Sequence, residues 1–336
     1  MTLSDRPMIT FALLAYNQER FIDEAVQGAL SQTYTPLEII LSDDCSSDRT
    51  FDILRKRVEQ YKGPHRVVLN LNSRNMGMGA HMNKVMELSK GDLIVGAAGD
   101  DISFPHRTSV IYESWKENGY KAMSLYSDAH LINKDGEVIE HPSPKGSSLN
   151  GPREVLSLGK GVAGCTHAWQ RCVFDTFGPL PDSTVLEDRA ISFRSSLLGT
   201  IQFIDKKLVK YRFHGNNVTA MRFIGEKPSK REINAYKVLL VNRVIDALDS
   251  HLHDLETAKE RNIINASEWR DINDIIMLKI RGLEYFQDFN NRGVGQKIRA
   301  LHYLWKHKNE LEPVIAYPYD LMRLMKGSAK GRFFEE

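Results

Sequence analysis

Three pairs of adjacent acids are the groups in this chain best equipped for chemistry: Asp43-Asp44 in LSDDCSSDRT, Asp100-Asp101 in VGAAGDD and Glu187-Asp188 in LEDRAISFR. Neighbouring carboxylates repel, so something beside each pair must justify it. Asp100-Asp101 follows an apolar run and a glycine. Two readings stand for it: oxygen ligands for a divalent cation at the end of a buried strand, or a solvated turn.

The elements before these acids decide how they are presented. MITFALLA (8–15), LEIILS (37–42), RVVLNLN (66–72) and DLIVGAA (92–98) are short apolar runs that predict buried strands. Helical spacing separates them: Phe21, Ile22, Ala25, Val26, Ala29 and Leu30; then Ile53, Leu54 and Val58 behind a start at Ser47 and Thr50; then Ala80 to Leu88. Alternating units of this kind predict an α/β domain, a mostly parallel sheet with helices on both faces. Ligands of such sheets bind beyond the carboxyl ends of the strands. Those ends carry Tyr16-Asn17, Asp43-Asp44, Arg74-Asn75 and Asp100-Asp101, four polar segments on one edge.

After residue 120 the pattern changes. AMSLYSDAHLINKDGEVIEH (122–141) predicts two strands joined through Lys134-Asp135-Gly136. HPSPKGSSLNGP (141–152) predicts a loop, and GVAGCTHAWQRCVFDTFG (161–178) small residues with a short helix. A helix over 186–199 ends at Gly199, and 201–217 holds another strand or two. From about Glu226 helix formers dominate, with Ile233, Tyr236, Leu240, Val244 and Leu248 on one face and further helices over 267–288, 294–309 and 313–326.

The 336 residues carry 45 basic and 43 acidic side chains, a net charge of +2, which gives no case for a nucleic-acid partner. Three cysteines without CxxC spacing argue against a disulfide framework and fit a reducing cytosol. Met1 to Pro7 is polar, without a signal-peptide pattern, and no stretch reaches the roughly 18 apolar residues of a membrane span.

Over roughly residues 8 to 220 the chain resembles the family 2 glycosyltransferases, inverting enzymes of GT-A fold. The likeness rests on segments in order: LLAYNQERFIDEAVQGALSQTY (13–34), LSDDCSSDRT (41–50), NMGMGAHMNKVMELSKGDLI (75–94), AAGDDISFPHR (97–107), LEDRAISFR (186–194) and VKYRFHGNNVT (209–219). It implies a GT-A catalytic domain over 1–223, with a nucleotide-sugar half to about 120 and an acceptor half over 121–223. A helical region over 224–336 follows.

The resemblance also implies roles. Asp100, with His214 from the Tyr-Arg-x-His segment, would hold Mg²⁺ or Mn²⁺, which neutralises charge gathering on a departing diphosphate. Asp188, beside Glu187, would take the proton of the acceptor hydroxyl. Ala15, Tyr16, Asn17, Asp43, Asp44, Arg74 and Asp101 would bind the nucleotide. Tyr16 stacks on the base, and Asp44, ahead of Asp43, accepts from a ring N–H, which selects UDP over CDP. Arg74 reaches the diphosphate. His167 and Trp169 lie in a segment that would line the acceptor or donor-sugar pocket, where an aromatic face suits a sugar; packing in the core is the other reading. The acceptor would be a saccharide or lipid-linked acceptor in surface polysaccharide synthesis, with the enzyme in the cytoplasm or at the inner face of the membrane.

One departure bears on activity. Ala98 stands where the family often has an acid assigned to ribose, so that contact is missing or supplied elsewhere, as by Asp101. The alternative function is therefore a degenerate nucleotide-sugar-binding or scaffold protein. A nucleotidyltransferase should show a Gly-x-Gly-Thr-Arg loop, and LLAYNQER has no glycine; GMGAHM lacks the third glycine of a dinucleotide site. For HYLWKHK (302–308) and YPYDLMRLMKG (317–327) two readings compete: peripheral contact with a membrane, or packing and homo-oligomer formation. The acids Glu310, Glu312 and Asp320 favour packing.

Overall fold

Every residue of β1 (Ile9–Ala15) is buried, as is every residue of its neighbour β2 (Leu37–Asp43). A strand apolar on both faces must be covered on both faces. Ile9, Phe11, Leu13 and Ala15 join one core cluster with α1 (Ile22–Leu30), α2 (Thr50–Gln60) and α4 (Arg107–Glu117). Ala12 and Leu14 point the other way, into a second cluster with α3 (Met78–Leu88), α6 (Cys172–Phe177) and α7 (Glu187–Leu198). The strand period of two thus divides one apolar run between two cores. Truncating a central member such as Ile40 to alanine costs about 2–5 kcal/mol.

The computed structural model describes residues 6–139, 146–157, 162–214, 217, 230–287 and 294–307. Its sheet adds β3 (Arg66–Leu71), β4 (Leu93–Ala98), β5 (Ile102–Ser103), β6 (Ala122–Ile132), β7 (His167–Gln170) and β8 (Thr200–Arg212), in the order β3-β2-β1-β4-β7-β6-β8-β5. The first four neighbours are parallel, and β6 and β8 are parallel to each other. β7 runs antiparallel between β4 and β6, and β5 antiparallel beside β8. This is the mixed α/β sheet of a GT-A fold. Register brings Ala15 opposite Asp43, and Leu14 opposite Ala98, so the strands end together at one edge.

Two expectations change. Among the described residues the second strand of the 122–141 hairpin is a single bridge, Ile132 to Val138, beyond a turn closed by Gly136 at φ 87. Within 161–178, His167–Gln170 forms β7, too short for its own periodicity to announce it and specified by its two neighbours.

The chain divides into two compact units, Met1–Gly151 with Val162–Pro228, and Pro152–Gly161 with Ser229–Glu336. The second contains α5 (Pro152–Ser157), α8 (Lys230–Glu260), α9 (Ala266–Gln287) and α10 (Val294–Lys306). Val241, Val244 and Leu248 of α8 and Ile272, Ile276 and Leu283 of α9 are buried at helical spacing. An Arg153–Asp271 ion pair of 2.8 Å ties α5 to α9. No helix among the described residues is long and apolar enough to cross a membrane. The helix expected over 313–326 and the boundary expected at 223/224 lie outside the described residues.

Candidate active site

The site begins where the parallel ladder runs one residue past the strands. The Asp44 N–H donates to Ala15 O, Asn72 N–H to Asp43 O and Gly99 N–H to Leu14 O, each at 2.9 Å. Three loops therefore leave the sheet side by side. Asn17 takes a left-handed φ of 52, a conformation asparagine tolerates better than most residues. Its Oδ1 accepts the Ser47 N–H at 2.8 Å, and its own N–H donates to Ser46 Oγ at 2.8 Å. Ser46 in turn donates to Asp43 from its N–H at 2.7 Å and its hydroxyl at 2.6 Å. Asp43 and Asn17 hold the loop together, while Tyr16 projects from it, 44% exposed.

Asp44, 4% exposed, is held by three donors. Its Oδ1 accepts from Asn72 Nδ2 at 2.8 Å and the Met76 N–H at 2.9 Å, and Oδ2 from the Gly77 N–H at 3.0 Å. A carboxylate has about four acceptor sites, so Oδ2 keeps capacity for one more donor. Arg74 lies exposed on the loop that Asp44 anchors. Asn83 pins the 180 region to α3, exchanging bonds with the Leu180 N–H and C=O, both at 2.8 Å.

At the end of β4 the chain turns through Gly99, where a Cβ would meet Gln18 Oε1 at 2.3 Å. Asp100 Oδ2 then stands 2.8 Å from His214 Nε2, joining residues 114 positions apart. Buried Arg212 braces the turn: its N–H donates to Asp101 Oδ1 at 2.8 Å, its Nε to Asp100 O at 2.9 Å, and its guanidinium pairs with Glu24. Among the described residues no group of three or more histidine, cysteine or acidic side chains could hold a metal. One carboxylate and one imidazole fit a hard cation whose remaining ligands are phosphate oxygens, not a closed structural site.

Asp101 turns inward. It is 5% exposed, and burial and then the Asp100 charge push its carboxyl well above the usual range. Its place beside the Cys165 thiol and Arg107, rather than its burial alone, does not fit the expectation that it makes up for Ala98 at a ribose. It shares the interior with the Cys165 thiol and Arg107. Arg107, fully buried, donates to Ser103 Oγ at 2.9 Å and Gly96 O at 2.7 Å, and burial lowers its guanidinium to about 10. β4 pairs with β7 only as far as Val95, so Arg107 serves a carbonyl that the ladder leaves behind.

The third acid pair opens α7 and lies half-buried. Burial, then the neighbouring Asp188 charge, pushes the Glu187 carboxyl up to about 8; burial also raises Asp188, whose Oδ1 accepts the Arg189 N–H at 2.7 Å. A tight turn at Gly164–Thr166 lies against both acid regions. A Cβ on Gly164 would fall 2.7 Å from Glu187 Oε1, while Cys165 adjoins Asp101.

His167 and Trp169 need a correction. They are 0% and 1% exposed, and Trp169 belongs to the core with Phe174 and Ile191. Burial and nearby Arg107 lower the His167 imidazole to about 3. Neither presents a face to a sugar. The period-two alternation of β7 sends both to the same inner face of the sheet. The sequence reading missed Arg107 and Gly164; for Gly164 the available signal was its place in a run of small residues.

The sheet and its helices are those of the GT-A fold. Residues 10–169 match the family described as Glycosyl transferase family 2. An uncharacterised glycosyltransferase of Nostoc sp. is 24% identical over 233 residues, 67% of this chain and 71% of its own length. A protein of Escherichia coli K12 named for glycosyl transfer in colanic acid biosynthesis is 28% identical over 184 residues, 52% of this chain and 62% of its own. Among solved structures, Staphylococcus aureus TarS 1-349 in complex with UDP-GlcNAc superposes with a TM-score of 0.60 at 13% identity, covering 98% of this chain and 93% of that one. The mannosyltransferase PcManGT of Pyrobaculum calidifontis, in complex with GDP-Man and Mn²⁺, gives 0.51 at 15% identity, covering 99% and 82%. Residues 10–169 are therefore a family 2 glycosyltransferase domain, and the protein is a glycosyltransferase.

Proposed function

We propose that the enzyme is an inverting, metal-dependent transferase that moves a sugar from a UDP-sugar to a saccharide or lipid-linked acceptor in surface polysaccharide synthesis. The observation that carries this reading is the 2.8 Å contact of Asp100 with His214 at the strand-end edge. It supplies two cation ligands on the edge that also carries the loops bearing Tyr16 and Asp44. Tyr16 offers an exposed ring for a base, and Asp44 keeps one acceptor site for a ring N–H. A fixed acceptor favours uracil, which has an N3–H, over cytosine, whose N3 is itself an acceptor.

Bound at Asp100 and His214, Mg²⁺ or Mn²⁺ would offset the charge that gathers on the diphosphate. The acceptor hydroxyl attacks the anomeric carbon from the face opposite the diphosphate. The carbon–oxygen bond to the diphosphate breaks, its electron pair leaves with UDP, and the hydroxyl proton passes to Asp188. The raised carboxyls at 187 and 188 suit a base working near neutrality.

The test incubates the full chain with a panel of nucleotide sugars, with and without Mn²⁺, and measures nucleoside diphosphate release. Metal-dependent turnover of a UDP-sugar, lost in Asp100→Ala and Asp188→Asn, is expected. Full activity in Asp188→Asn removes the base assignment. Tight UDP binding without turnover on any donor favours the scaffold reading that Ala98 motivates.

A further inference from the structure

Ser42 and Asn70 lie directly opposite each other on the parallel β2–β3 pair, and Asp44 and Asn72 each follow two residues later. The period of two puts all four side chains on one face of the sheet. They form a continuous hydrogen-bonded chain there. His81 Nε2, on α3, is 2.7 Å from Ser42 Oγ; Asn70 Nδ2 donates to Ser42 Oγ at 3.0 Å and to Asn72 Oδ1 at 2.9 Å; Asn72 Nδ2 donates to Asp44 Oδ1 at 2.8 Å. Ser42, His81 and Asn72 are buried, so few of these groups can exchange a partner for water.

The chemistry of each link dictates the next. An amide nitrogen has two N–H donors, and Asn70 spends both, one on each neighbour. That obliges Asn72 to turn its carbonyl toward Asn70 and its N–H toward Asp44. The Met76 and Gly77 N–H groups hold the other side of the carboxylate. Asp44 is thereby fixed as an acceptor with its remaining site on Oδ2.

We infer that the chain His81–Ser42–Asn70–Asn72 sets the orientation of Asp44, so that Asn70 and His81 are positioning residues for nucleobase selection, an inference resting on the reading of Asp44 as the nucleobase acceptor. Asn70→Asp preserves shape but replaces a double donor with an acceptor. Whichever way Asn72 then turns, one oxygen faces another, either at the new carboxylate or at Asp44.

The experiment titrates the full chain with UDP and with CDP by calorimetry and follows thermal melting in parallel. The unsubstituted enzyme should prefer UDP. Asn70→Asp should weaken UDP about tenfold or more while changing CDP little, so that the preference collapses. His81→Ala should move the preference in the same direction by less. Unchanged UDP affinity and preference in both variants overturns the inference, and so does equal weakening of UDP and CDP, the mark of a merely structural loss. If Asn70→Asp does not fold, His81→Ala and Ser42→Ala decide on the same readout. Asp44→Asn separates the two levels. If it loses UDP while Asn70→Asp does not, the relay alone fails; if it keeps full UDP affinity, the reading of Asp44 fails and the inference with it.

Discussion

Asp43 and Asp44 accept hydrogen bonds from Ser46 twice, Asn72, Met76 and Gly77, so two adjacent charges are matched by five donors. Glu187 and Asp188 are also adjacent, yet burial dominates there and the Glu187 carboxyl is pushed up to about 8. The first arrangement fixes both carboxylates in place, because donors from two loops are already aimed at them. The second holds a proton loosely in the neutral range. Saturated acids suit recognition by shape and hydrogen bonding, and strained acids suit proton transfer. Asp100 belongs to neither case: its Oδ2 meets a single imidazole, that of His214.

The contrast predicts that substitutions at the two pairs separate binding from turnover. Asp188→Asn should lower kcat by about 10²–10⁴-fold with the Kd of UDP unchanged. Asp44→Asn should do the reverse, raising the Kd of UDP with little loss of kcat at saturating donor. Steady-state kinetics with calorimetry checks both, and a shared pattern would dissolve the distinction. Asp100→Ala should cost about a hundredfold in kcat/KM and abolish the response to added Mn²⁺ or to chelation. Chelator-resistant activity in the unsubstituted enzyme would count against a cation at Asp100 and His214.

Gly164→Ala probes how the strained pair is kept in place. The added Cβ falls 2.7 Å from Glu187 Oε1, the end of a movable side chain, so the carboxylate should shift and the fold survive. We expect kcat to fall about three- to tenfold, since small misplacements near a reacting centre are costly. UDP affinity should be unaffected; an equal loss of UDP affinity would show that the turn serves both ends of the site.

The saturated end was more legible in the amino-acid sequence than the strained end, for a physical reason. β1, β2 and β4 announce themselves as apolar runs, and parallel topology then places Asp43, Asp44 and Asp100 at one edge without further information. The donors around Asp44 come from a loop 28 to 33 residues on, whose path no periodicity specifies. His167 and Trp169 misled because aromatic and imidazole side chains serve cores and sugar pockets alike. Only the insertion of β7 between β4 and β6, a pairing of distant segments, sends them inward. Arg107 was illegible because its partner, the Gly96 carbonyl, becomes free only where that insertion stops pairing.

A pH series tests the strain itself. Glu187 has a folded carboxyl at about 8 against an unfolded value near 4.5, so between those limits the folded state holds a proton that the unfolded state has released. Stability is therefore fully present below about pH 4.5 and declines as pH rises through about 8. Glu187→Gln keeps the shape and removes the titration. Its Tm should match that of the unsubstituted enzyme at pH 5 and exceed it by pH 8, by about 2–4 °C for each kcal/mol relieved. The same series on Asp43→Asn should show the variant below the unsubstituted enzyme across the range, because its donors, Ser46 N–H and Oγ–H, lose a charged partner. If the Glu187→Gln difference stays flat from pH 5 to 8, Glu187 is not strained, and the two acid pairs differ in surroundings but not in what they can do with a proton.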